Sequence, residues 1–296
     1  MMKFSNAQTM FEIGNAKFGG QPGKRRTVLL GSLFYPGHSM VEDRVKGRCK
    51  PGSVEAALNR LDTAVEETAT PGGVMLYAET AEAMRSYLHQ VADLTKMPIF
   101  VDSPSWQVRI TGCAEANAAG LGDRVVYNTV NAGVSRKELE AIKDAGVKAA
   151  VLLGFNPMDI TLKGKVYLLE NGGGLMEKGM IEAAREAGIE RLLLDAAVMA
   201  AEQNAGVALR AITLYKARWG LPSGCALHNA VESFAPLAKL QGEDRKIYRY
   251  VDVASVVMPM MAGADFVMYG PIEYARRAMH AAAFADEMLA QSVADI

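Results

Sequence analysis

The chain has 296 residues, half of them apolar and 22% charged, with a formal net charge of −1, enough for one large domain with a well-filled core. That balance argues against a nucleic-acid binder, which carries a basic excess, and the basic run Lys24-Arg25-Arg26 is short enough to be a solvated edge. Three cysteines without short spacing (Cys49, Cys113, Cys225) argue against a disulfide framework and a cysteine zinc site, and no stretch of about 18 apolar residues offers a membrane span, so a cytoplasmic protein is expected.

Residues 1–26 contain the Gly- and Pro-rich stretch KFGGQPGKRR and are expected to cover part of the surface of the domain that follows over 27–296. From Thr27 onward, short apolar runs alternate with longer amphipathic segments. The runs are TVLLGSLF (27–34), GVMLY (73–77), PIFVD (98–102), RVVYN (124–128), KAAVLLGF (148–155), RLLLD (191–195), GCALHN (224–229) and DFVMYG (265–270). Each has strand length and none alternates apolar with polar, the pattern of parallel strands covered on both faces. Between them, SRKELEAIKDAG (135–146) predicts a helix. Ser135 and Glu138 have capping-box spacing, Leu139 and Ile142 share a face, and Gly146 stops it. GLMEKGMIEAAREAG (174–188) predicts another, ending at Gly188, and an Ala-Gly pair precedes a strand at 119–120, 145–146, 187–188 and 262–263. The stretch 229–262 is long for one helix, and GEDRKIYRYVDV (242–253) is expected to divide it into two. Eight such units predict a single (βα)8 TIM barrel rather than an open doubly wound sheet. No G-x-G-x-x-G follows the first run, and NGGG at 171–174 reads as a loop.

Barrel active sites lie at the C-terminal ends of the strands. There the chain places Asp102 and Ser103, Asn128, Asn156 and Asp159, Asp195, His228 and Asn229, and Tyr269-Gly270-Pro271. Any one Asp, Asn or Ser in such a place also serves as a helix cap, but several at adjacent strand ends converge on one mouth. The set is rich in carboxylates and amides and poor in nucleophiles. It suits a flat heterocycle whose edge carries both N–H donors and carbonyl acceptors. His38, His89, His228 and His280 show no H-x-H or H-E-x-x-H spacing, so no protein metal site is expected, and no G-x-S-x-G is present. His228 reads as a packed, hydrogen-bonded histidine, and Met258, Met260 and Met261 as core or interface residues.

At these residues the sequence resembles the pterin-dependent corrinoid methyltransferases, above all the pterin-binding H-type component of tetrahydromethanopterin S-methyltransferase and its bacterial relatives. The resemblance covers essentially the whole chain. It is carried by AKFGGQPG (16–23), VDSPS (101–105), YNTVN (127–131), FNPMD (155–159), LLDAAV (193–198), LHNAVESF (227–234) and MYGPIE (268–273). It implies a barrel of the dihydropteroate-synthase type, a homodimer, and a pterin ring held at the mouth by Asp102, Asn128, Asp195 and Asn229, with Asn229 reaching the reactive N5. Glu232 stands where relatives carry Gln, and Pro104 where they often carry Thr. Some relatives move methyl from a methyl-corrinoid protein to tetrahydrofolate in glycine betaine or methoxy-compound metabolism. The implied activity here is methyl transfer between a methyl-Co(III) cobamide and N5 of tetrahydrofolate, forming 5-methyl-tetrahydrofolate. No D-x-H-x-x-G is present, so the cobamide is expected on a separate corrinoid protein. Two alternatives remain open. A dihydropteroate synthase would need a basic group near the last strands, where Arg276 and Arg277 lie, and a non-catalytic barrel would only dock the corrinoid protein.

Overall fold

The computed structural model describes residues 3–294. A hairpin comes first, β1 (Met10–Ile13) and β2 (Ala16–Gly19), followed by β3 (Val28–Leu33) and a small antiparallel pair, β4 (Val41–Asp43) and β5 (Arg48–Cys49). Then come α1 (Ser53–Thr68), β6 (Gly72–Tyr77), α2 (Ala81–Ala92), β7 (Ile99–Asp102), α3 (Trp106–Ala118), β8 (Val125–Val130) and α4 (Arg136–Asp144). They are followed by β9 (Ala149–Leu153), α5 (Leu162–Asn171), α6 (Met180–Glu186), β10 (Arg191–Asp195) and α7 (Val207–Trp219). The chain ends with β11 (Ser223–Cys225), α8 (His228–Ser233), α9 (Ala235–Glu243), α10 (Arg245–Met261), β12 (Phe266–Pro271) and α11 (Ala275–Ser292). Strands β3 and β6 to β12 pair in parallel and close on one another as an eight-stranded barrel, the expected fold.

The continuous apolar runs divide by parity. Leu29, Val74, Val101 and Leu194 face out against the helices, while Val28, Leu30, Phe100, Val126, Val151 and Leu193 fill the barrel. The hairpin seals the N-terminal end. Phe18 is fully buried, its ring centroid 6.2 Å from that of Phe100 and 6.3 Å from that of Phe266, both near the starts of their strands.

Several local expectations change. The helix expected over 174–188 begins only at Met180, because Gly172, Gly173 and Gly174 all take positive φ and hold the chain in turns. The stretch 229–262 divides at Asp244, inside the segment expected to break it, and a further break at Phe234 was not expected. Asp244 is an N-cap whose carboxylate accepts from the Lys246 and Ile247 amides, and the residues after it are helical, giving three helices rather than two. Ser135 caps α4 through the Glu138 amide at 3.1 Å, but Glu138 turns inward to Arg109 and Tyr127 rather than completing the box. The run 224–229 is a strand only to Cys225, so His228 and Asn229 stand in the first turn of α8.

Candidate active site at the mouth of the barrel

Side chains two apart on a strand share a face. Phe100, Val126 and Leu193 point into the barrel, so Asp102, Asn128 and Asp195, one step further along each strand, point inward at its mouth. Asp102 and Asn128 are direct register partners on β7 and β8, and Asp195 lies two strands on, paired with Leu153 of β9. Tyr77 of β6 is in register with Asp102 and joins the same rim, where the Arg44 guanidinium lies over its ring at 6.0 Å. Sequence reading passed over Tyr77, although it ends its apolar run as Asp102 does.

Burial sets the protonation of the two carboxylates. It pushes Asp195 up to about 6 against the Ala197 amide and the Lys165 charge, which both lower it. It likewise pushes Asp102 up to about 6, against the pull of Arg109 and the Ser103 amide. Asn128 is 7% exposed, and among the described residues its carboxamide makes no side-chain hydrogen bond. A largely buried amide at the mouth with donor and acceptor both uncommitted to the protein is suited to a ligand edge.

The segment after β10 ties Asp195 to Asn229. Asp195 Oδ1 accepts from the Ala197 amide at 2.8 Å, and Asn229 Nδ2 donates to the Val198 carbonyl at 2.9 Å. Lys165, almost fully buried, donates to the carbonyls of Gly154, Ala196 and Ala197 at 3.2, 2.8 and 3.1 Å. These bonds hold Ala197 in the left-handed region, φ 55°, which a residue with a Cβ disfavours by about 1–2 kcal/mol. Lys165 sits three residues inside α5 with no local signature, so its role was not legible beforehand.

The other candidates are spent locally. Ser103 Oγ accepts from the Ser105 amide, and the Ser103 carbonyl is held by Arg109, which also pairs with the buried Glu138. Asn156 donates to the carbonyls of Gly164 and Gly173 and accepts from the Met158 amide, so it anchors a loop. Asp159 accepts from the Thr161 amide at 3.0 Å, and the Thr161 side chain and amide together hold its carboxyl below the usual range. Glu232 pairs with His228 at 3.0 Å.

His228 is packed and hydrogen-bonded, as expected, and its partners are both carboxylates. Nδ1–H donates to Asp252 at 2.6 Å and Nε2–H to Glu232. Burial alone would lower its pKa, but hydrogen bonds to the two carboxylates raise it to about 9, so it is an imidazolium at neutral pH. Asp252 also accepts from Arg277 Nε at 3.0 Å. Gly270 takes φ 86° and lies against His228, where a Cβ would overlap the imidazole. Among the described residues, no group of three or more His, Cys, Asp or Glu is placed to hold a metal, and no helix is long and apolar enough to cross a membrane.

The closed eight-stranded parallel barrel has the dihydropteroate-synthase fold. The dihydropteroate synthase of Vibrio fischeri superposes with a TM-score of 0.63 at 15% identity, over 96% of this chain and 98% of that one. The Thermus thermophilus enzyme in complex with 6HMPPP gives 0.61 at 19%, over 95% and 99%. Sequence narrows the class. The model of the tetrahydromethanopterin S-methyltransferase MtrH subunit matches residues 6–296, and the chain belongs to that family. It is 40% identical to the MtrH-type tetrahydromethanopterin S-methyltransferase component of Methanothermobacter marburgensis and 36% identical to the corresponding component of the putative methyltransferase mtx of Methanosarcina barkeri. Each match spans all of this chain and 96% of the relative.

Proposed function

We propose that this barrel transfers a methyl group between the cobalt of a corrinoid carried on a separate protein and N5 of a tetrahydropterin, with tetrahydrofolate as the pterin and 5-methyl-tetrahydrofolate as the product. The observation that carries this reading is the inward convergence of Asp102, Asn128 and Asp195, with the Asn128 amide unspent, in a chain of the MtrH family. The two carboxylates accept N–H groups of the ring edge, and Asn128 both donates and accepts. Asn229, with one N–H committed to Val198, keeps its Oδ1 and second N–H for N5. The corrinoid supplies a methyl–cobalt bond whose electron pair stays on cobalt when the methyl leaves. The barrel keeps the N5 lone pair unprotonated and aligned, and the proton that N5 then sheds passes to a mouth carboxylate or to water. Orientation of this kind is worth up to roughly 7–11 kcal/mol, so no enzyme nucleophile is required.

Tetrahydrofolate is chosen on the resemblance to bacterial relatives, some serving glycine betaine metabolism, whereas the methanogen relatives carry tetrahydromethanopterin in their names. The implied homodimer has a candidate face in the exposed apolar residues Ile247, Tyr250, Val251 and Met258 of α10 beside Phe284 and Met288 of α11. Calorimetric titration with the two pterins, followed by loss of methylcobalamin absorbance when each is supplied, tests the reading. Demethylation with tetrahydrofolate supports it in full, and demethylation only with tetrahydromethanopterin corrects the pterin. Pyrophosphate release with 4-aminobenzoate would replace it by the synthase.

A further inference from the structure

A cleft of about 230 Å³ opens between α10 and α11, lined by Arg245, Tyr248, Arg249, Tyr274 and Arg277. Its position follows from the topology. Helix α10 leads into β12 and α11 follows it, and the cleft joins the first turns of α10 to the start of α11, at the C-terminal end of β12. Arg245, Tyr248, Arg249 and Asp252 are spaced i, i+3, i+4, i+7, one stripe of α10. Asp252 joins that stripe to both neighbours, binding Arg277 of α11 and His228 of α8, the residue before Asn229.

Three guanidinium groups thus face one small cleft whose lining includes no carboxylate. Arg277 is occupied, bonded to Asp252 and stacked on Tyr274 with Cζ 3.5 Å from the ring centroid. Arg245 and Arg249 are exposed and form no salt bridge among the described residues. The amides that open α10 are already capped by Asp244, so the arginines and not the helix end give the cleft its character. Unpaired guanidinium groups gathered on one side repel each other and are arranged for a ligand with more than one anionic oxygen.

We propose that this cleft holds the acidic tail of the pterin substrate while the ring lies in the barrel mouth. Arg245 and Arg249 bind its carboxylate or phosphate oxygens, and Arg277 is the fixed wall between tail and mouth. The proposal rests on the pterin reading above and adds to it a subsite for the part of the substrate that does not react. Anchoring the tail there limits how the ring can turn at Asn229.

The test uses the full chain and the double variant Arg245→Gln/Arg249→Gln. Both are titrated with tetrahydrofolate triglutamate and with 6-methyl-tetrahydropterin, which lacks a tail. The expected result is a loss of affinity for the triglutamate of about tenfold or more, steepest at low salt, with the tailless pterin bound within about twofold of the parent. Arg245→Lys/Arg249→Lys should recover most of the loss. Equal weakening of both ligands, or no change in either, overturns the proposal. So does a variant whose pterin binding is intact but whose KM for the methylated corrinoid protein rises, since the arginines then serve the partner. If the parent itself fails to bind the tailless pterin, the reading of the mouth falls first and the tail site with it.

Discussion

Replacing Asp195 with Asn should stabilise the protein while weakening it as a binder. Burial lifts the carboxyl from its ordinary 3.8 to about 6, which corresponds to roughly 3 kcal/mol at about 1.4 kcal/mol per tenfold change in proton affinity. The sign follows from linkage. Protonation is easier in the folded chain, so the stability Asp195 contributes is fully present below about pH 4 and lost as pH climbs through about 6. Asparagine keeps an oxygen for the Ala197 amide, and Lys165 keeps its three carbonyls, though it loses the attraction of the carboxylate. The expected gain above pH 7 is therefore about 1–3 kcal/mol, or some 2–4 °C per kcal/mol in thermal midpoint. Urea unfolding of parent and variant at about pH 4.5, 6 and 8 measures it, and the gap should widen from the first to the last. Tetrahydropterin affinity, read by calorimetry, should fall about tenfold or more with the loss of charge-assisted bonds. A variant less stable than the parent at pH 8, or unfolding curves that shift in parallel with pH, would refute the argument that the site holds a carboxylate against its own desolvation.

Asn229→Ala should lower the rate of methyl transfer by about 10- to 100-fold, measured by cobalamin absorbance, with a smaller effect on pterin affinity; full activity would remove Asn229 from the reaction. Asp102→Asn should weaken pterin binding about tenfold in a titration while leaving the fold intact by circular dichroism, because Arg109 remains paired with Glu138. Phe18→Ala should cost about 3–5 kcal/mol in urea unfolding, since the ring fills the sealed end of the barrel between Phe100 and Phe266. Lys165→Met should cost about 3 kcal/mol or more by leaving three buried carbonyls unpaired, and saturating pterin should restore part of the loss.

The barrel was legible because its strands are covered on both faces, and buried strands keep their apolar residues contiguous. Asp102, Asn128 and Asp195 were legible because each ends such a run. That all three point inward follows from parity, which becomes usable only once Phe100, Val126 and Leu193 are known to face the interior. What escaped reading depends on contacts distant in sequence. The Lys165 side chain meets carbonyls 11 to 32 residues away, and the arginine cleft joins two helices that flank a strand. The stripe of α10 was hidden for a local reason. GEDRKIYRYVDV holds the interruption, at Asp244, but from Arg245 onward it is the start of a helix whose polar residues line a cleft. The hydrogen bonding of His228 was legible but its partner Asp252, 24 residues on, was not.

The two ends of this barrel are built differently. The lower end, where Phe18 seals the strands, is apolar inside the barrel, and the buried charges around it are paired or hydrogen-bonded: Lys216 with Asp265, and Asp286 with the Thr27 amide and hydroxyl. The upper end carries two carboxylates raised by burial, a left-handed alanine and a lysine among backbone carbonyls. Each of these costs on the order of 1–3 kcal/mol alone. They are offset by the packing below and by bonds that fix residues 195–198 from Asp195, Lys165 and Asn229 at once. A segment fixed from three sides leaves its polar groups little freedom to reorganise. On the proposed reading a flat pterin arriving there meets groups already oriented, so its binding energy goes into alignment of the reacting nitrogen instead of ordering of the site. On the proposed reading the mouth needs no nucleophile, because a reaction driven by the methyl–cobalt bond asks the protein only for position and proton balance.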